Sequence, residues 1–194
     1  MKTPFTHTDN KKGSAVRPRT IYTIGHSTHS VEEFLEILQA FNIQVLVDIR
    51  SLPGSRKFPQ YNKENLENTL AEHGIRYVYL KGLGGRRKAR KDSKNKRWNN
   101  TSFRGYADYM ETGDFEKTIK ELETLAKERP TVMMCAEAVW WRCHRSMVSD
   151  YLKVKDWTVL HIMSAGKVQE HTYTSPARIV AGRLCYFDGD LFNP

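Results

Sequence analysis

Residues 135 to 145 read CAEAVWWRCHR, which gathers two thiols, a carboxylate, an imidazole, two indoles and two guanidinium groups into eleven positions. Glu137 lies between two alanines and close to Trp140 and Trp141. A carboxyl group in such apolar company has its pKa raised by desolvation and suits general acid or base work. Cys143, His144 and Arg145 follow at an expected helix start, where free N–H groups depress a thiol pKa and favour a phosphate. Cys135 ends an apolar run and reads as a small buried hydrophobe. The cysteines are eight apart with a single adjacent histidine, which is not the paired C-x₂₋₄-C spacing of a structural zinc site. No metal or other cofactor is therefore expected, although Cys135, Cys143 and His144, with His161 as a fourth donor, leave a metal open.

Two further clusters bear on the same chemistry. In TIGHS, residues 23 to 27, His26 offers an acid or base near neutral pH, and Ser27 precedes a helix whose first N–H groups would favour an anion. The motif is not GxSxG, so a hydrolase nucleophile elbow is not supported. Asp48 interrupts the apolar run of IQVLVDIR, residues 43 to 50. A buried carboxylate needs a partner, and Arg145 is the expected one. Arg50 then stands next to the same site as a further anion holder.

Charge marks a third region. The chain has 194 residues and a net charge of +9, and residues 81 to 101 hold nine Lys or Arg against one Asp. A basic segment on an otherwise mildly acidic body is the footprint of a phosphate-backbone binder. After GLGG come Arg86, Arg87, Lys88, Arg90, Lys91, Lys94, Lys96 and Arg97, then Trp98, Phe103 and Tyr106. Cations that follow a backbone, with rings that stack on bases, suit a single strand or a flipped base. The competing reading makes those rings core anchors for the ends of the loop. GLGGRR itself lacks the Lys-Ser/Thr of a phosphate-binding P-loop.

The elements that must position these groups are legible in outline. TIYTIG (20–25) reads as a strand, and Ser30-Val-Glu-Glu33 as a capping box ahead of a helix with Phe34, Leu35, Leu38 and Phe41 on one face. A strand over 43–50, a helix over Lys63 to Glu72 ending at His73-Gly74, and a strand over 75–80 come next. Helices are expected near Phe103–Met110 and from a cap at Asp114 to Pro130, with strands over 131–137 and 157–163 flanking a helix over 144–153. The C-terminal part reads as a short helix and a last extended piece, and residues 1 to 19 as a disordered basic arm. Residues 20 to 194 are thus expected to form one α/β domain with a mainly parallel sheet of about five strands flanked by helices. In such sheets ligands bind outside the carboxyl ends of the strands, where His26, Asp48, Arg50, Cys135 and Glu137 fall, with His161 inside the fifth strand.

There is no run of 18 apolar residues and no signal-peptide core, and the three cysteines are an odd number. The expectation is a cytoplasmic chain with reduced thiols and no membrane partner.

TIGHS, VDIRSLPGS (47–55), GIRYVYLKGLGG (74–85), CAE (135–137), CHR (143–145) and HI (161–162) together resemble the bacterial and archaeal domain-of-unknown-function family 488, in the right order over residues 20 to 187. The resemblance implies an α/β domain and a polar site, and no established reaction. It marks His26, Ser27, Asp48, Arg50, Pro53, Ser55, Cys135, Glu137, Cys143, His144 and Arg145. The functional expectation is an enzyme acting on nucleic acid or a nucleotide-like substrate by hydrolytic attack at a base or glycosidic bond. Glu137 or Asp48 would be the base, His26 or His144 the proton shuttle, and Ser27, Arg50, Ser55 and Arg145 the anion holders. A thiol-dependent small-molecule enzyme using Cys143 and a non-catalytic nucleic-acid-binding module are the alternatives.

Overall fold

The structure is a computed structural model that describes residues 19–189. The arm expected at the N-terminus lies outside the described residues, apart from Arg19. Strand β1 (Thr20–Gly25) leads into helix α1 (Val31–Ala40), where the Ser30 hydroxyl accepts from the Glu33 N–H as the capping pattern requires. Then come β2 (Val45–Asp48), α2 (Lys63–Glu72), β3 (Arg76–Tyr79), α3 (Thr101–Met110), α4 (Gly113–Glu128), β4 (Thr131–Cys135), α5 (Arg145–Val154) and β5 (Thr158–Ser164). Helix α4 is capped by Thr112, not Asp114, since the threonine hydroxyl accepts from the Phe115 N–H.

The sheet order is β3-β2-β4-β1-β5-β6, with β1 to β5 mutually parallel. The α/β class with a mainly parallel sheet is therefore as the sequence indicates. Strand β6 (Lys167–Glu170) is a sixth, antiparallel edge strand that the sequence pattern does not reveal. All four of its residues are exposed, so no apolar alternation announces it. In place of a C-terminal helix, β7 (Arg178–Val180) and β8 (Arg183–Cys185) form a small antiparallel hairpin.

Alternation along β4 divides the interior. Val132 and Met134 join Ile24 and Leu46 against Phe34, Leu38, Leu66 and Leu70 of α1 and α2. Met133 and Cys135 join Val45 and Val47 against the apolar faces of α3, α4 and α5 on the other side. Helices thus cover both faces, and the chain leaving β2 turns toward one layer while the chain leaving the adjacent β4 turns toward the other. Divergence of neighbouring connections opens a crevice at the carboxyl ends of the strands.

Candidate active site at the ends of strands β2 and β4

A cleft of about 370 Å³ occupies that crevice. Arg50, Ser51 and Leu52 after β2 line it, facing Cys135, Ala136 and Glu137 at the end of β4. Gly85 and Arg86 of the basic segment, Asn100, Ser102 and Phe103 at the start of α3, and Arg142, Cys143 and His144 before α5 complete it.

At its base lie two sulfurs and an imidazole. Ligand-capable atoms of Cys135, Cys143 and His144 fall within 4.8 Å of one another, and Cys143 Sγ is 3.7 Å from His144 Nδ1. His144 Nε2 is 3.1 Å from the Ile49 carbonyl oxygen. A carbonyl can only accept, so Nε2 carries the proton and Nδ1 is the nitrogen turned toward the sulfurs. Gly85 makes room for the ring, since a Cβ there would lie 2.4 Å from Nδ1. The Cys143 thiol directed at Cys135, aided by His144 and the nearby Arg145 charge, holds the Cys135 thiol well below the ordinary thiol range. Burial pushes Cys143 the other way. Cys135 packs in the core as the sequence indicates, and it also meets Cys143, a neighbour eight residues on.

Asp48 and Arg50 form the supporting layer. Asp48 is fully buried and accepts from Arg50 Nε, Nη2 and backbone N–H, and from the Tyr77 hydroxyl at 2.7 Å. Its partner is Arg50 and not Arg145, and with its oxygens occupied it does not reach substrate. Arg50 Nη1 also donates to His26 Nε2 at 3.3 Å, while His26 Nδ1 donates to the Ser27 carbonyl. His26 stacks on Tyr61 with ring centroids 4.1 Å apart, and burial and then the Arg50 charge lower its pKa to about 4. It sits behind Arg50 as a neutral acceptor, away from the cleft lining.

The remaining predicted residues disperse. Arg145 is buried, and its guanidinium donates to the carbonyls of Ile24, Glu137 and Ala138 at 2.7 to 3.0 Å, so it braces the loop instead of facing an anion. Gly25 permits this convergence, because a Cβ there would lie 1.8 Å from the Glu137 carbonyl oxygen. Ser27, at a left-handed φ of 49°, lines a separate cavity with His29 and Met163, and Ser55 receives the Phe58 N–H. His161 belongs to a buried chain: Thr23 Oγ1 donates to its Nδ1, its Nε2 donates to His171 Nδ1, and His171 Nε2 donates to Asp150. The fourth-ligand role considered for it is excluded by that placement. Glu137 is not in the desolvating apolar company expected of it: it and both flanking alanines are exposed, and it stands on the cleft wall without a hydrogen-bond partner for its carboxylate among the described residues.

The basic segment is built structure. Asp108 of α3 accepts from Ser93 Oγ, Asn95 Nδ2 and the Arg90 N–H; burial opposes its charge, but these bonds hold its carboxyl below the usual range. Arg87 lies 3.6 Å over the Tyr109 ring and donates to Gly82 and Gly84, Arg90 pairs with Glu111, Lys94 lies over Phe187, and Arg97 pairs with Asp188. Trp98 stacks on Phe103 at 4.7 Å and packs near Tyr186, which makes it an anchor of the loop. Arg86, Lys88, Lys91 and Lys96 are exposed, and Arg86 reaches the cleft.

A doubly covered, mainly parallel sheet with a polar crevice at its strand ends places the protein in the α/β class, with its candidate site at the switch point of the sheet. The chain belongs to the family described as Domain of unknown function DUF488, whose model matches residues 30–152. No curated protein and no solved structure matches it. No helix among the described residues is long and apolar enough to cross a membrane.

Proposed function

We propose that the protein is an enzyme acting on a nucleotide-like or single-stranded nucleic-acid substrate held in the cleft between the ends of β2 and β4. The supporting observation is the convergence in one cleft of an unpaired carboxylate, Glu137, and the Cys135, Cys143 and His144 cluster, with Arg86 and Arg142 also in the lining. Arginines around a reactive centre favour a phosphate-bearing substrate. The Phe103 ring at the mouth offers a face for a base. Glu137 is the group free to move a proton between water and a leaving nitrogen or oxygen, in hydrolytic attack at a base or its glycosidic bond. Asp48 holds Arg50 in place and takes no part as a base.

Replacing Glu137 by Gln keeps size and removes the proton-transfer function. Turnover of oligonucleotide and nucleotide panels, followed by mass spectrometry for loss of an exocyclic amine or a whole base, falls by about 10²- to 10⁴-fold, with binding within a factor of about two. Equal turnover by the variant sinks the reading.

A second reading is favoured by the sulfur geometry: a small-molecule enzyme with a thiolate nucleophile, Cys143 or its neighbour Cys135, beside the His144 imidazole. Brief labelling with limiting iodoacetamide at mildly acidic pH marks the nucleophile if that reading holds, and leaves both thiols unmodified if it does not.

A further inference from the structure

We infer that Cys135, Cys143 and His144 bind one zinc-class divalent ion, with the fourth coordination position opening into the cleft beside Glu137. The three donor atoms already lie together, within 4.8 Å of one another. With metal–sulfur and metal–nitrogen lengths of about 2.3 and 2.0 Å, a tetrahedral site needs sulfur-to-nitrogen edges of about 3.5 Å. The Cys143 Sγ to His144 Nδ1 separation is 3.7 Å, and no pair in the cluster exceeds 4.8 Å.

An independent observation comes from the far side of the imidazole. The Ile49 carbonyl accepts from Nε2, which fixes the tautomer with Nδ1 free for a metal. Ligating histidines usually donate their other ring nitrogen in this way, to a carboxylate, a carbonyl or water. The donors also come from well-held backbone: Cys135 ends the central strand β4, Cys143 and His144 immediately precede α5, and Arg145 ties that helix start to the carbonyls of residues 24, 137 and 138. Gly85 leaves space for the imidazole.

The donor chemistry selects the ion. Two sulfurs and one imidazole suit zinc and its softer neighbours and do not suit magnesium or calcium, which take oxygen ligands. Two thiolates also neutralise a divalent charge. The sequence spacing that speaks against a closed structural site does not bear on an open one, in which three protein ligands leave a position for water or substrate. This inference deepens the proposed function, since a metal-bound water next to Glu137 would be the attacking group. Metal binding itself does not depend on that reading.

The test uses the full chain, expressed with zinc in the medium and desalted. Elemental analysis is expected to give about one zinc per chain, falling to about a tenth or less in Cys143→Ser and in His144→Gln, and staying near one in Cys185→Ser, whose thiol is buried in β8 outside the cluster. Cobalt(II) bound to the unmodified chain is expected to show thiolate-to-metal charge transfer and the intense visible bands of tetrahedral geometry. That arm needs no variant to fold. A zinc-replete chain with less than about a fifth of an equivalent, or cobalt bound without the thiolate band, overturns the inference. Full zinc occupancy with turnover insensitive to Glu137→Gln sinks the proposed function alone, whereas Glu137-dependent turnover by a chain that takes up no zinc from replete medium sinks the metal site alone.

Discussion

Gly85 lies so close to the imidazole of His144 that a methyl group on it would stand 2.4 Å from Nδ1 and 2.6 Å from Cγ. One residue of the basic segment therefore sets the position of the ring that faces both sulfurs. Gly85→Ala must rotate His144 away from the Ile49 carbonyl or push the segment outward. The expected cost is about 1–3 kcal/mol, the usual range for overpacking, together with a tenfold or greater loss of turnover. Urea denaturation and the NMR shifts of the His144 ring read the two effects. An unchanged ring environment would show that the close approach constrains nothing.

The Asp48–Arg50 pair predicts a large effect from a small change. Asp48→Asn leaves a buried guanidinium without its counter-charge, and is expected to cost about 3–5 kcal/mol. Tyr77→Phe removes one charge-assisted hydrogen bond to the same carboxylate, which keeps its Arg50 partner, and costs about 1.5–3 kcal/mol. Chemical denaturation of the two variants ranks them, and the reverse order would contradict the picture of a charge-paired support.

Exposed and tethered cations of the basic segment should separate experimentally. Replacing Lys88, Lys91 and Lys96 by Gln is expected to leave stability within about 0.5 kcal/mol. It reduces the slope of log affinity against log salt for a labelled single-stranded oligonucleotide by about 0.7 for each phosphate that is no longer neutralised. Arg97→Ala removes the links to Pro176 and Asp188 and lowers the melting temperature. Fluorescence anisotropy over a salt series checks the first effect, and an unaltered slope rules those lysines out as phosphate binders.

The buried histidine chain gives a pH dependence with a definite sign. Burial, then the neighbouring His171 and Arg145, lower the pKa of His161 to about 2. The unfolded chain takes up the proton near pH 6.5 and the folded chain does not, so stability is full above that value and declines as pH falls below it. At pH 5 this one group costs about 2 kcal/mol relative to neutrality. In His161→Gln the loss between pH 7 and pH 5 shrinks by about that amount, whatever the variant's stability at pH 7. A loss of the same size in both proteins would assign the effect elsewhere.

What the sequence disclosed follows from the range of the interactions involved. The strand and helix alternation, the Ser30 cap and the stop at Gly74 depend on neighbours within a few residues, and those expectations match the structure. Strand β6 escaped because an exposed edge strand pairs through its backbone and leaves little pattern in its side chains. The site was legible as a rim of polar residues but not as a set of pairings. Arg50, two residues along an extended backbone from Asp48, shares its face and is the nearer partner, which spacing alone was enough to indicate. Cys135 meeting His144, and Gly85 meeting the same ring, required knowing that the segment after β3 folds back over the end of β4. That is a property of topology, which no local window contains.

Arg145 directs its two terminal nitrogens, Nη1 and Nη2, at main-chain carbonyls of Ile24, Glu137 and Ala138, and every amino acid carries that acceptor. The path of the loop from 136 to 144 is therefore held partly through its backbone, and partly by Trp140, which is buried, stacks on His161 and donates to Gln169. Trp141, half exposed at its crest, is free to be exchanged while the brace stays the same. Such an arrangement separates the residues that keep the loop's shape from the exposed indole that it displays.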